Sequence, residues 1–201
     1  MTSTSETAGI ILASASPRRR ELLRQIDIEF RVVVSAADER VLAGESPGDY
    51  VVRVARDKAL DVMRREAGVL PVLAADTAVI LDNSILGKPE NRAAAVAMLK
   101  RLSGHTHEVY SAVALALGEQ QVYDSLNITR VTFADLEAGW IEAYCDTGDP
   151  MDKAGSYGVQ GRAAEKIVRI EGSFSGVMGL PLYETSRLLH TRLSSETAIR
   201  A

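Results

Sequence analysis

Short apolar runs alternate with signals for helix starts along this chain, and that alternation most constrains its fold. Ile10–Ala13 reads as a short buried strand, and Ser16-Pro17 then opens a helix with Ser16 as cap and Pro17 in the first turn. Leu22, Leu23 and Ile26 give that helix its apolar stripe, and Phe30–Val34 reads as the next strand. Ser46-Pro47 repeats the cap-plus-proline signal, predicting a helix to about Arg65 with Val51, Val54, Ala55, Ala59 and Val62 on one face. Val72–Leu81 is an apolar run interrupted by Asp76-Thr77, and Asp82-Asn83 suggests a turn into a short strand ending near Leu86. Asn91–Leu102 is helical, with Gly104 where a helix stops.

Two long strand candidates follow, His107–Leu117 and Gln121–Phe133, joined as a hairpin through Gly118-Glu119-Gln120. Asp135 is placed to cap a helix to about Tyr144. Thr147–Gly161 is turn-rich, Ile167–Ile170 reads as a strand, and Pro181 opens a last helix to about Leu193. This order predicts a mixed α/β fold. With 201 residues and no Pro/Ser linker or repeat, it predicts one domain over 1–201, with flexible tails at 1–9 and 194–201.

The net charge of −4 argues against a broadly basic, nucleic-acid-coating protein. Cys145, the single cysteine, permits no intramolecular disulfide and no multi-cysteine zinc site. Thr2–Gly9 is polar, and Ile10–Ala13 is too short for a signal peptide or a membrane span, so a reducing, cytoplasmic setting is expected.

Several residues suggest chemistry. Ser14, Ser16, Arg18, Arg19 and Arg20 gather where a buried strand gives way to a helix N-terminus, a place that favours phosphate. Three guanidiniums there oppose the helix dipole and cost stability unless an anion arrives. The alternative is a solvated basic face. Lys58 falls on an apolar helical stripe and must either snorkel to water or meet an anion. Asp76, read as the end of a buried strand, is expensive there unless it has a partner or serves as a base, a metal ligand or a turn cap. Asp38-Glu39 could help hold Mg²⁺, or could be ordinary acidic surface. Gly155, Gly158, Gly161, Gly172, Gly176 and Gly179 crowd one stretch, suggesting backbone bends beside a ligand or in a packed connection.

Other chemistries fare worse. Gly87-Lys88-Pro89 is not a P-loop, and no G-x-S-x-G elbow occurs. His105 and His107 lack zinc spacing and read as structural, and Cys145 and Trp140 as packing residues. What remains is a set of cations (Arg18, Arg19, Lys58, Lys88, with Ser14) facing carboxylates (Asp38, Glu39, Asp76). That is equipment for phosphoryl or nucleotidyl chemistry.

LASASPRRRELL, ESPGDYVVRVARDKA, AADTAVIL, LGKP, LSGHTHEVYSAVAL, DKAGSYGVQG and GLPL occur in this order, and together they resemble the Maf family of nucleotide pyrophosphatases, historically called septum-formation inhibitors. The resemblance implies a twisted mixed sheet flanked by helices around a central cleft, similar to the inosine triphosphatase (Ham1) group. It implies hydrolysis of a nucleoside triphosphate between the α and β phosphates, with Mg²⁺ or Mn²⁺. Asp76 matches the family's proposed base, Glu39 an acidic residue near the metal, and Ser14, Arg19, Lys58 and Lys88 polar residues of the phosphate site. Arg18, Thr77 and Gln160 resemble the branch acting on dTTP and UTP, and modified pyrimidine triphosphates are expected with them. The branch acting on 7-methyl-GTP carries Tyr, Gln and Glu there, and a Glu suits a cationic base where Gln suits a pyrimidine edge. The rival readings are 7-methyl-GTP hydrolysis, a nucleotide-sensing regulator of cell division without turnover, and a nucleic-acid-binding module. The resemblance also leaves a homodimer open.

Overall fold

A computed structural model describes residues 9–199, with side chains as far as 193. Most of the expected flexible tails, 1–9 and 194–201, lies outside the fully described residues. The described elements are β1 (Ile10–Leu12), α1 (Pro17–Arg24), β2 (Phe30–Val32), α2 (Pro47–Arg65), β3 (Val72–Leu81), β4 (Ser84–Leu86) and α3 (Arg92–Leu102). After them come β5 (Thr106–Gly118), β6 (Gln121–Phe133), α4 (Ala138–Cys145), β7 (Ile167–Glu171), α5 (Phe174–Met178) and α6 (Leu182–Ile199). Two short 3₁₀ helices, Asp149–Asp152 and Ala154–Ser156, lie in the turn-rich stretch, and a third, Arg162–Lys166, follows it.

The expected mixed α/β class is observed. Seven strands form one sheet in the order β2-β1-β3-β5-β6-β7, with β4 also on β3. The β1 strand runs parallel to β2 and β3, and the remaining pairings are antiparallel. Helix α2 covers one face, where Val51, Ala55, Ala59 and Val62 meet Ala74, Ala78, Ala112 and Ala114. Small residues on the strands let this helix pack closely. The other face carries two clusters. One joins Leu22 and Leu23 of α1 and Leu189 of α6 to Leu73, Ala75 and Leu115; the other joins α3 and α4 to Val79, Leu81, Val109 and Phe133.

The serine caps expected from the sequence are formed: the Ser16 hydroxyl accepts from Arg19 N and the Ser46 hydroxyl from Asp49 N. Four expectations are corrected. Asp76 does not end a strand, because β3 continues unbroken to Leu81 while Lys58 pairs the carboxylate. Asp135 does not cap α4. The chain there is already engaged, with Leu136 N donating to Ser103 Oγ at 2.7 Å, and the helix starts after Glu137. The short helix α5, capped by Ser173, has no counterpart among the expected elements. The last helix continues past Leu193 to Ile199.

Candidate active site

A gap in the sheet makes the site. Ala13 N donates to Leu73 O at 2.8 Å, and there the pairing of β1 with β3 stops. On the same edge β4 takes over only at Val79. Between these points β3 has a partner on its β5 side alone. Neighbouring strand residues point to opposite faces, yet Asp76 and Thr77 both line one cleft of about 840 Å³. The open edge lets the cleft reach both.

On the α2 face, Lys58 is 8% exposed and Asp76 5%. The Lys58 ammonium donates to Asp76 Oδ1 at 2.8 Å and meets Glu39 Oε2 at 2.8 Å. The choice posed for Lys58 is thereby decided, since it meets anions. Asp76 Oδ2 is buried and has no hydrogen-bond partner. Glu39 sits on a loop tied to α2, with Tyr50 Oη donating to the Glu39 carbonyl at 3.1 Å.

On the other face, Arg19 projects from the first turn of α1. Its Nε donates to Gly179 O at 2.7 Å, and its Nη atoms approach Thr77 Oγ1 at 3.3 Å and Ser14 Oγ at 3.4 Å. Burial pushes the Arg19 guanidinium down from its ordinary value, and the nearby Asp76 and Glu39 charges oppose that shift. Thr77 Oγ1 lies 3.1 Å from the buried Ser111 hydroxyl. Gly179 ends α5 at φ +115°, a conformation that favours glycine and lets its carbonyl meet Arg19.

Ser14, Arg18, Arg19, Glu39, Lys58, Asp76, Thr77, Lys88 and Gln160 all line this cleft. Two residues grouped with them do not. Asp38 pairs instead with Arg40 in the same loop at 2.6 Å, and that guanidinium holds its carboxyl down to about 2. Arg20, one helical position past Arg19, turns back to Ala15 O. Reasoning from sequence misses Lys153, Asp149, Asp152 and Tyr157, which also line the cleft. The signal that could find the first three is a lysine beside aspartates just before the glycine-rich stretch.

The donor set suits a hard cation. Among the described residues no group of three or more His, Cys, Asp or Glu side chains could enclose a metal. Two carboxylates converge here, however, one with an orphaned oxygen. Mg²⁺ typically takes one or two carboxylates and completes its shell with water and substrate phosphates. Asp76 and Glu39 therefore fit Mg²⁺ or Mn²⁺ in a site that phosphate would complete.

Fold and cleft define an α/β protein in which a basic helix N-terminus and a carboxylate pair line one cleft. The Maf-like protein family matches residues 9–192, and the chain belongs to that family. The dTTP/UTP pyrophosphatase of Bordetella avium is 52% identical over 188 residues, covering 90% of this chain and 93% of that protein. The protein of the same name from Methylobacillus flagellatus is 51% identical over 181 residues, covering 90% of each. Among solved structures, the Staphylococcus aureus Ham1 protein aligns with TM-score 0.49 and 12% identity, over 93% of this chain and 98% of that one.

Proposed function

We propose that this chain hydrolyses dTTP and UTP to the monophosphate and pyrophosphate, and acts likewise on modified pyrimidine triphosphates. The observation that carries the reading is the cleft: Lys58 bridging Asp76 and Glu39 on one side, and Arg19 with Ser14 and the α1 N-terminus on the other. Half-identical relatives bearing that activity in their names support it.

The chemistry follows from charge. Attack of water on the α-phosphorus puts negative charge on the departing pyrophosphate. Arg19, Lys88 and the free N–H groups of α1 bind and orient that end of the substrate. A divalent ion held by Asp76 and Glu39 would supply Lewis-acid stabilisation of the phosphates. The Asp76 carboxylate lines the cleft, and its Oδ2 has no hydrogen-bond partner; this carboxylate is the candidate to orient the attacking water and receive its proton. Lys58 bonds Oδ1 and so holds that carboxylate in place. Arg18, Thr77 and Gln160 form the specificity set, with the Gln160 amide able to donate to and accept from a pyrimidine edge.

The direct test incubates the purified protein with dTTP or UTP and Mg²⁺ or Mn²⁺, then separates the products. dTMP with pyrophosphate is expected, and chelation should stop the reaction until metal is restored. Orthophosphate release would refute cleavage between α and β. Tight binding without turnover would instead favour a sensor.

A further inference from the structure

A second charged group lines the cleft, and the reaction outlined above does not use it. The Lys153 ammonium, with its side chain only 10% exposed, donates to Asp149 Oδ1 at 2.9 Å, to Asp149 O at 2.5 Å and to Asp152 Oδ1 at 2.6 Å. The other oxygen of Asp149 accepts from Tyr144 Oη at 2.7 Å, and the other oxygen of Asp152 faces Arg18 Nη2 at 3.5 Å. Two carboxylates and two cations therefore cancel locally. Burial works to raise both aspartates, but the Lys153 bonds and the Arg18 charge outweigh it and hold them below the usual range, so both are ionised at neutral pH.

The segment carrying Gln160 rests on this group. A Cβ on Gly158 would lie 2.8 Å from Lys153 Cε and 3.7 Å from Arg18 Nη1; one on Gly161 would lie 3.2 Å from Asp149 Oδ2. Glycine at Gly158 is what permits the close approach. A base read by Gln160 would thus sit beside two carboxylates whose charge depends on Lys153 for cover.

We propose that Lys153 is a specificity-determining residue: by neutralising Asp149 and Asp152 next to the Gln160 segment, it makes the cleft favour a neutral base over a cationic one. This rests on the reading that the cleft takes a nucleoside triphosphate with its base at the Gln160 end. Without the lysine, two uncovered carboxylates would attract a positively charged ring.

GTP and 7-methyl-GTP differ by one methyl group and one positive charge, so the ratio of their affinities isolates the charge. Each is measured as a competitor of dTTP hydrolysis, slightly on the acid side of neutrality, in wild type, Lys153→Met, Lys153→Arg and Asp152→Asn. Lys153→Met is expected to shift the ratio toward 7-methyl-GTP by about tenfold. Lys153→Arg should return it near wild type. Asp152→Asn, at a position exposed enough to spare the fold, should shift it about threefold the other way. Equal weakening of both nucleotides in Lys153→Met would mean a merely structural lysine and would overturn the proposal. So would an unmoved ratio in Asp152→Asn, which decides the matter alone if Lys153→Met does not fold. If wild type fails to hydrolyse dTTP, the functional reading falls, but the same ratio is still obtained from direct binding by calorimetry.

Discussion

Consider replacing Lys58 by Met, alone and together with Asp76→Leu. Asp76, 5% exposed in the wild type, loses in the single variant its only side-chain partner among the described residues, which bonds Oδ1 at 2.8 Å; Oδ2 already has none. Removing one member of a buried pair leaves an uncompensated charge and costs about 3–5 kcal/mol. Glu39, more than half exposed at its carboxylate side chain, is rehydrated cheaply and adds little. The double variant removes both charges from a face already built of Val and Ala around Lys58. Exchanging a whole buried pair for apolar residues is commonly neutral or stabilising by about 1–4 kcal/mol. The expected result is therefore inverted order: the double variant is at least as stable as wild type, while Lys58→Met is weaker by about 3–5 kcal/mol. Urea unfolding with an unchanged m-value reads this directly. Both variants should be inactive. A double variant as unstable as Lys58→Met would refute the view that the pair is kept for the site rather than for the fold.

Asp76→Asn should still bind dTTP but lose turnover by about 10²–10⁴-fold, and wild-type turnover would remove Asp76 from the mechanism. Acid should expose His107, which bonds Tyr157 Oη at 2.7 Å and whose burial pushes its imidazole down from 6.5 to about 4. Because the unfolded chain takes up that proton first, stability is present above about pH 6.5 and lost as pH falls toward 4. Between about pH 7.5 and 4.5 the loss is about 2.5 kcal/mol, and the unfolding free energies of wild type and His107→Gln from urea titrations should diverge by that amount. Gly155→Ala should cost about 2–4 kcal/mol by thermal or urea unfolding, since φ is +68° and the new Cβ would lie 2.8 Å from Val79 Cγ2.

Elements with local signatures are legible in the sequence. Ser46-Pro47 marks the start of α2, and periodicity carries it to Arg65, where it ends. The hairpin of β5 and β6 follows from two apolar runs and a polar turn. Asp135 misleads because tertiary contacts to Ser103 override local capping preference. The individual site residues are visible as misfits, such as a lysine on an apolar stripe and a carboxylate in an apolar strand. Their pairing is not, since Lys58 and Asp76 meet only when α2 packs on β3. The Asp149–Lys153–Asp152 group lies inside the DKAGSYGVQG motif or just before it. Charges at such spacing are ordinary on a surface, and only burial makes them conspicuous.

Strand geometry poses a problem that the sheet itself resolves. Asp76 and Thr77 are adjacent on β3, so their side chains leave on opposite faces, one toward Lys58 and α2, the other toward Arg19 and Ser111. In a complete sheet they would serve separate sites. Here the short β1 and the late pairing of β4 leave the edge of β3 between Leu73 and Val79 open to the cleft. The Leu73 carbonyl points toward β1, so the peptide groups of Ala75 and Thr77 point the same way, into the gap. An open strand edge invites pairing with other chains unless it is short and flanked by charge. This one meets both conditions, with Arg19 and Lys58 on either side. The overall charge of −4 thus conceals a division across one strand, with Lys58, Asp76 and Glu39 on one face and Arg19 on the other, all lining one cleft.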